Sequence, residues 1–566
     1  MKPQLTALRQ DIMGTFRNCW NRFPVTVCFT FALTLYLLYI VYPDKEPLED
    51  KLIAIAGYYL SVGVLLSLSL HLWSEEVHSF RTRLIVQITA QLLLLVDAFF
   101  LYHNAVEPRL VDIGIAHGAA ILTIGLSVFF LPFFREKNDI PAWNFTQYVL
   151  GCLSMTVLIG LVMSGGLCLL AYSLPQLFGV TIDNYCYRFI FILFSVLLPI
   201  LLFLGMLPNG DQKHDPLPVA TSFLNSIIRY LFLPLIGGYL LVLYVYAFRI
   251  ITRWELPDGW VSWLIIALMF GVIAIELALY PTRIKGESTM AKQVTRWLPA
   301  LVLPLLLLMS VGIARRFSDY GITINRLYLA TLNVWFYAVC IGLILSKAKR
   351  VNWIPISFTL IFLLTSALPI NYASITRNTL RAEIQEALAQ SNQTTLPLTE
   401  EQYESWIASL PDTEARQINA KLWYLVSWFG TKSTSDLMDE RISFRNTAME
   451  EENPDMELLN YNQLKNTTIK VPQGYDSCTF IEQFSKVPHE LVNDSMLSLP
   501  LDFDNDTVRI PIETLRVRHQ QLHLQPAIFK TQSGNTLVLT YFHFSIQKNQ
   551  EETEASIDGY LFHNNN

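Results

Sequence analysis

Few residues in this chain stand where chemistry could be done, and most of them are ionisable side chains inside long apolar runs. Asp97 lies five residues from the end of the run 84–102, at a depth of about 7 Å by helical rise. A carboxylate that deep cannot reach water by its own length, so it calls for a partner or a wet cavity. Arg326 follows Gly321, which should break the chain, and Thr323, which can cap the next helix. It then falls in a first helical turn, where the macrodipole disfavours a cation. An anion should compensate it: Asp97, Asp319, a lipid phosphate or a substrate. Asn333, seven residues on, shares that helix face and extends the candidate intramembrane polar site inward. Arg229 and Glu276 fall near the ends of their runs and read as interfacial anchors, Arg229 by snorkelling.

The C-terminal part offers less. Asp502, Asp504, Asp506 and Glu513 take positions 1, 3, 5 and 12 of an EF-hand-like spacing, whose oxygens could gather around Ca²⁺. Thr507 stands where such a loop needs glycine and Pro511 interrupts it, so a solvated turn through Asp504–Asp506 is the preferred reading. His519 and His523 lack a third ligand for zinc. His543, on an apolar strand face, reads as a core histidine. There is no Walker A loop, GxGxxG, GxSxG or HExxH. No catalytic residue, metal or cofactor is expected.

The elements that must hold these residues are written in the hydropathy. The chain is 52% hydrophobic and only 16% charged, against about 25% charged in soluble domains. A bilayer-crossing helix needs about 20 apolar residues. Such runs lie near 24–42, 52–73, 84–102, 113–134, 145–174, 187–207, 223–248, 261–280, 298–314, 322–345 and 354–370. The fifth is long enough to tilt or break at Gly165 and Gly166. Pro199, Pro234 and Pro304 interrupt the sixth, seventh and ninth, each freeing a backbone carbonyl. Gly114 and Gly118 form a GxxxG that reads as close packing inside the bundle. Ahead of the first run, Leu5, Leu8, Ile12, Phe16 and Trp20 recur at helical spacing, as in an amphipathic helix on a membrane surface. The run itself lacks a cleavage site and reads as a retained span.

Charge divides the chain. Residues 1–370 carry 26 Lys and Arg against 20 Asp and Glu, and residues 371–566 carry 15 against 27, giving +6 and −12. With the N-terminus inside, inner segments hold sixteen Lys and Arg and outer loops seven, the bias expected of a cytoplasmic N-terminus. An odd helix count then puts the C-terminal part outside, in the periplasm of a bacterium. That part begins with polar helices, one opening after Thr399 and one after Thr413. It continues in period-two stretches such as Leu497, Leu499 and Leu501, and 537–544, apolar on both faces and so central to its sheet. The expected fold is an all-α polytopic membrane bundle of about eleven transmembrane helices followed by a soluble α+β domain. The boundaries are 1–23, 24–370 and 371–566.

Arg22, Phe23 and Pro24 stand at the mouth of the first run, and Asp319, Tyr320, Gly321, Ile322, Thr323, Ile324, Asn325 and Arg326 open the tenth. Together with the many-helix layout they resemble an uncharacterised bacterial membrane family, the domain of unknown function 4153. The resemblance covers the membrane part better than the tail. It implies a bacterial inner-membrane location and no activity.

Three functions are compatible with this reading. One is a transporter or lipid-handling protein of the cell envelope, resting on the helix count, the proline breaks and the Asp97 and Arg326 candidates. The alternative is a non-catalytic envelope scaffold or sensor whose C-terminal domain binds an envelope protein. The third is a polytopic glycosyltransferase with Asp44 or Glu46 in its first outer loop, disfavoured because residues 43–51 leave little room for a site. Membrane lipids are the expected partners. The acidic tail gives no footprint for nucleic acid.

Overall fold

The computed structural model of the chain describes residues 17–42, 50–105, 109–180, 182–219, 222–253, 260–286, 288–391, 396–439, 442, 444, 456–462, 477–488, 492–493, 496–501, 506–512, 527–547 and 552–563. Two compact units divide it, Met1–Thr379 and Leu380–Asn566.

In the first unit the apolar runs fold as helices, because in hydrocarbon a backbone must satisfy its own hydrogen bonds. They are α1 (Pro24–Val41), α2 (Asp50–Ser74), α3 (Phe80–Asn104), α4 (Leu110–Phe130), α5 (Ile140–Phe178), α6 (Asn184–Met206), α7 (Leu224–Arg253), α8 (Trp260–Ala278), the short α9 (Tyr280–Lys285), α10 (Thr289–Tyr320) and α11 (Ile324–Ser346). Ten of these are long and apolar enough to cross a bilayer. Next come α12 (Trp353–Ala367) and α13 (Tyr372–Gln390), bent by 44° and making an eleventh span if counted together. The chain is therefore a multi-pass membrane protein. Its outer face agrees: Leu84, Ile85, Leu92, Val96 and Phe99 of α3 are all exposed, an apolar surface that only lipid or another apolar partner can cover.

Two of the prolines leave the same mark. A five-residue π-helical turn, Leu193–Leu197, ends two residues before Pro199, and another, Ile228–Phe232, ends two residues before Pro234. Proline has no N–H to give and its ring crowds the carbonyl four residues back. Widening the preceding turn relieves that crowding, and the Leu198 and Leu233 N–H groups reach back to Leu193 and Ile228. α5 carries Cys152, Thr156, Gly160 and Ser164 as a buried ridge at four-residue spacing, with Gly160 and Ser164 against the first π turn. A Cβ on Gly160 would stand 2.4 Å from Pro199 Cγ and 2.7 Å from the Phe194 carbonyl. α10, by contrast, runs unbroken through Pro299 and Pro304.

Two glycine readings are corrected. α5 is one continuous helix of 39 residues with no break at Gly165 or Gly166, and a Cβ at either would meet nothing within 4 Å. The same holds for Gly114 and Gly118, so among the described residues this GxxxG makes no close helix contact. The N-terminal amphipathic segment lies mostly outside the described residues, which are helical from 17 to 22.

The second unit takes in the end of α13, then α14 (Glu400–Ser409), held by a Thr399–Gln402 capping box, and α15 (Asp412–Phe429), which begins after Pro411 rather than Thr413 and stops at Gly430. Eight strands follow among the described residues: β1 (Met456–Asn462), β2 (Ser477–Pro488), β3 (Val492–Asn493), β4 (Met496–Pro500), β5 (Thr507–Pro511), β6 (Ala527–Lys530), β7 (Thr536–Gln547) and β8 (Glu552–His563). One sheet has the order β1-β7-β8-β2 with β6 also on β7, and the other β3-β4-β5. β7 is central, as its two apolar faces require. Leu497, Leu499, Val508 and Ile510 share one core with Leu537, Leu539, Phe542 and Ile557. The whole is a helical membrane bundle followed by a small α+β unit.

Candidate functional site

Between α2, α3 and α4 lies a groove of about 410 Å³. Its walls are Val62, Leu66, Ala90, Leu94, Ala120 and Ile124 among other apolar residues, with Ala367 of α12 at one side. Its polar groups are gathered in one cluster: Tyr58, Asp97 and His117. The Tyr58 hydroxyl donates to Asp97 Oδ2 at 2.7 Å. His117 Nε2 lies 3.0 Å from Oδ1 and 3.2 Å from Oδ2 of the same carboxylate. The Tyr58 and His117 rings meet edge to face, with centroids 5.5 Å apart.

The geometry fixes one hydrogen of the pair and leaves two neutral arrangements for the other. His117 Nδ1 lies 2.7 Å from the Ile113 carbonyl one turn back on α4. A carbonyl only accepts, so Nδ1 carries a hydrogen. Nε2 then faces the carboxylate in one of two ways, as the N–H of an imidazolium beside an ionised Asp97, or as an acceptor from a protonated Asp97. Both forms are net neutral and contain one proton that can sit on either residue. A neutral pair at a membrane-facing groove avoids the cost of a lone charge. It remains able to give or take a proton, as Asp and His do in relays.

The other sequence candidates are placed elsewhere. Asp97 is partnered by α2 and α4, not by Arg326, which sits in the first turn of α11 after the positive-φ break at Gly321 and donates to the Gly321 carbonyl at 2.9 Å. Thr323 occupies the N-cap position without a side-chain cap bond. Asn333 is buried on α11; its Nδ2 donates to Ser310 Oγ of α10 at 2.6 Å, and its Oδ1 has no partner among the described residues. Arg229 is exposed in the second π turn, over the Tyr230 ring. Glu276 is no surface anchor: it is fully buried and accepts from Arg283 Nη1 at 3.0 Å. Of the calcium set, Asp502, Asp504 and Glu513 lie outside the described residues. Asp506 is buried, and its Oδ1 accepts from the Thr507 and Ser533 amides. Burial alone would raise its carboxyl; hydrogen bonds from Thr531 and from Ser533 and Thr507 outweigh that and hold it below its ordinary value. That carboxylate ties the β4–β5 turn to the β6–β7 turn. His543 is half-buried in β7.

A family model for a domain of unknown function, DUF4153, matches residues 28–398. The chain belongs to that family. The groove, its cluster and every membrane helix from α2 onward fall inside the DUF4153 match, and α1 falls in it from Cys28. No curated protein and no solved structure matches the chain.

Two further clusters, of whose members sequence reasoning singled out only Arg22 and Glu276, tie the helices of this DUF4153 chain together at the end opposite the Asp97 end of α3. In the first, Lys213 is 1% exposed, and its Nζ donates to Glu75 Oε2 (3.0 Å), Glu76 Oε1 (2.7 Å) and the Leu72 carbonyl (2.9 Å). Arg22 grips Glu75 from the other side and donates to the Leu207 and Pro208 carbonyls. His214 stands 3.0 Å from both Glu76 and Glu136. In the second, Arg283 bridges Glu276, Thr295 and the carbonyl of Ala348, where Lys347 and Ala348 both have positive φ. Asp139 accepts from the Val351 and Asn352 amides. The available signal was weak: charges flanking apolar runs usually read as solvated.

Proposed function

We propose that this chain is a lipid-handling protein of a bacterial inner membrane, and that Asp97 and His117 hold the polar end of an amphiphile whose apolar part lies along the groove. One observation carries the reading: a single polar cluster, Tyr58 with the Asp97–His117 pair, stands in an otherwise apolar groove between three membrane-crossing helices. An acyl chain suits such walls, and hydroxyl, ester or phosphate oxygens suit a cluster able both to donate and to accept. The positive-charge bias supports a cytoplasmic N-terminus and, with α12 and α13 counted as an eleventh crossing, a periplasmic C-terminal unit. The test is a lipid and metabolite profile of a deletion strain. Wild-type protein should restore it, and Asp97→Asn or His117→Gln at equal membrane levels should not. Full restoration by both variants would overturn the assignment.

A second reading has its own observation. On the edge strand β2, Phe480 and Phe484 share a face and are 53% and 61% exposed. Exposed aromatics on a sheet edge suit a protein partner that adds a strand, as in a scaffold or sensor. A partner recovered with the full chain and lost on Phe484→Ser would support it; a partner set unchanged by that substitution would count against it.

A further inference from the structure

We propose that the groove's ligand is an uncharged lipid alcohol, a membrane lipid whose head ends in a free hydroxyl, and that this hydroxyl donates to Asp97. This rests on the groove being a lipid site and narrows the head it takes. Every hydrogen of the polar cluster is already committed inside it. The hydrogen on His117 Nδ1 goes to the Ile113 carbonyl and the Tyr58 hydroxyl donates to Asp97 Oδ2. The remaining proton is held between His117 Nε2 and Asp97 in both neutral arrangements of the pair. What the cluster has left is lone pairs. A carboxyl group accepts more hydrogen bonds than these, and the Asp97 side chain is 35% exposed against 18% for His117. The Tyr58 oxygen, its hydrogen given away, also accepts. A head that fits without breaking an internal bond therefore brings a donor.

Charge and depth decide among the donors. Asp97 with His117 sums to zero, and among the described residues that line the groove there is no lysine or arginine. A phosphate or carboxylate would meet lone pairs with no counter-charge, and an ammonium would leave its own charge uncompensated. A hydroxyl donates without carrying charge. Depth selects the same group. Asp97 lies seven residues short of the Asn104 end of α3, about 10 Å by helical rise. Drawing a hydroxyl to that depth costs little once it is hydrogen-bonded, whereas a charged head costs far more. From Asp97 the groove continues for about two helical turns, to Ala90 on α3, Leu66 on α2 and Ile124 on α4. Those aliphatic walls cover the first part of an acyl chain.

The experiment reconstitutes the full chain in phosphatidylcholine vesicles holding equal amounts of dioleoylglycerol, its acetyl ester and dioleoyl phosphatidic acid. The protein is extracted gently and its retained lipids are identified by native mass spectrometry. Dioleoylglycerol should be retained about ten-fold over the acetyl ester, the scale of one hydrogen bond to a charged group. Phosphatidic acid should do no better than the ester. Asp97→Asn should bring the ratio of alcohol to ester several-fold down. Tyr58→Phe, which removes a donor to Asp97 and frees an acceptor site on it, should leave that ratio at least as high. A wild-type ratio near one, phosphatidic acid outranking the alcohol, a ratio indifferent to Asp97→Asn, or its collapse in Tyr58→Phe would overturn the hydroxyl assignment. Ile121→Trp, which fills the groove from its apolar wall, separates the two readings. If it lowers the total of the three probes retained while the wild-type ratio is near one, the groove stands and the hydroxyl assignment falls. If it leaves that total unchanged, the groove reading itself falls.

Discussion

The Lys213 ammonium is buried 2.7 Å from the Glu76 carboxylate, pinning the α6–α7 connection to the end of α2. Removing one member of a buried, hydrogen-bonded charge cluster strands the others. Lys213→Met should therefore lower stability by about 3–5 kcal/mol, read from unfolding in detergent. An unchanged melt would show that the ammonium is solvated in the native state.

The same cluster gives a pH dependence. Burial alone would raise the Glu75 carboxyl, but Arg22 hydrogen bonds and the Lys213 charge outweigh it and hold the group below its ordinary value of 4.5. A depressed folded value stabilises the protein above the unfolded value, and the contribution is lost as pH falls through the folded one. The melting temperature should drop on acidification below about 4.5, and Glu75→Gln, less stable at neutral pH, should show a shallower drop. Equal acid slopes in both proteins would remove Glu75 from the account.

Gly160 and Gly165 make a matched pair on α5. Gly160→Ala must push a Cβ into Pro199 and the Phe194 carbonyl, at a cost of about 1–3 kcal/mol. Gly165→Ala meets open space and should be neutral or slightly stabilising. Equal melting of the two variants would contradict the close approach of α5 to the π turn.

Arg283 and Glu276 should behave as a coupled pair. Arg283→Gln leaves a buried carboxylate, costing about 3–5 kcal/mol, and adding Glu276→Gln should recover part of the loss. Strictly additive effects in the double-mutant cycle would show the two residues to be energetically independent.

The helices were legible because a 20-residue apolar run in a chain this poor in charge admits few other structures, and β7 was legible because both its faces are apolar. Asp97 was legible for a related reason: one carboxylate inside such a run has no bland explanation. Its partner was not. Depth in the membrane can be counted along one helix, which made Arg326 look suitable, but depth says nothing about which helices are neighbours. His117 lies 20 residues from Asp97 on the next helix, and nothing in its spacing distinguishes it. Glu276 was misread because a helix end suggests an interface. The turn at Leu279 starts α9, which carries Arg283 back over the carboxylate. Lys213 and Arg22 looked like loop charges because their partners come from helices far apart in sequence.

The most direct test of the lipid groove is site-specific photo-crosslinking in native membranes. A diazirine side chain at Ile121, which lines the groove, should give a defined lipid adduct whose yield falls in Asp97→Asn at equal protein level. The same probe at Val96, on the exposed face of α3, should label bulk lipid regardless of Asp97. Adducts at Ile121 that match those at Val96 in lipid composition, and are unmoved by Asp97→Asn, would contradict the account.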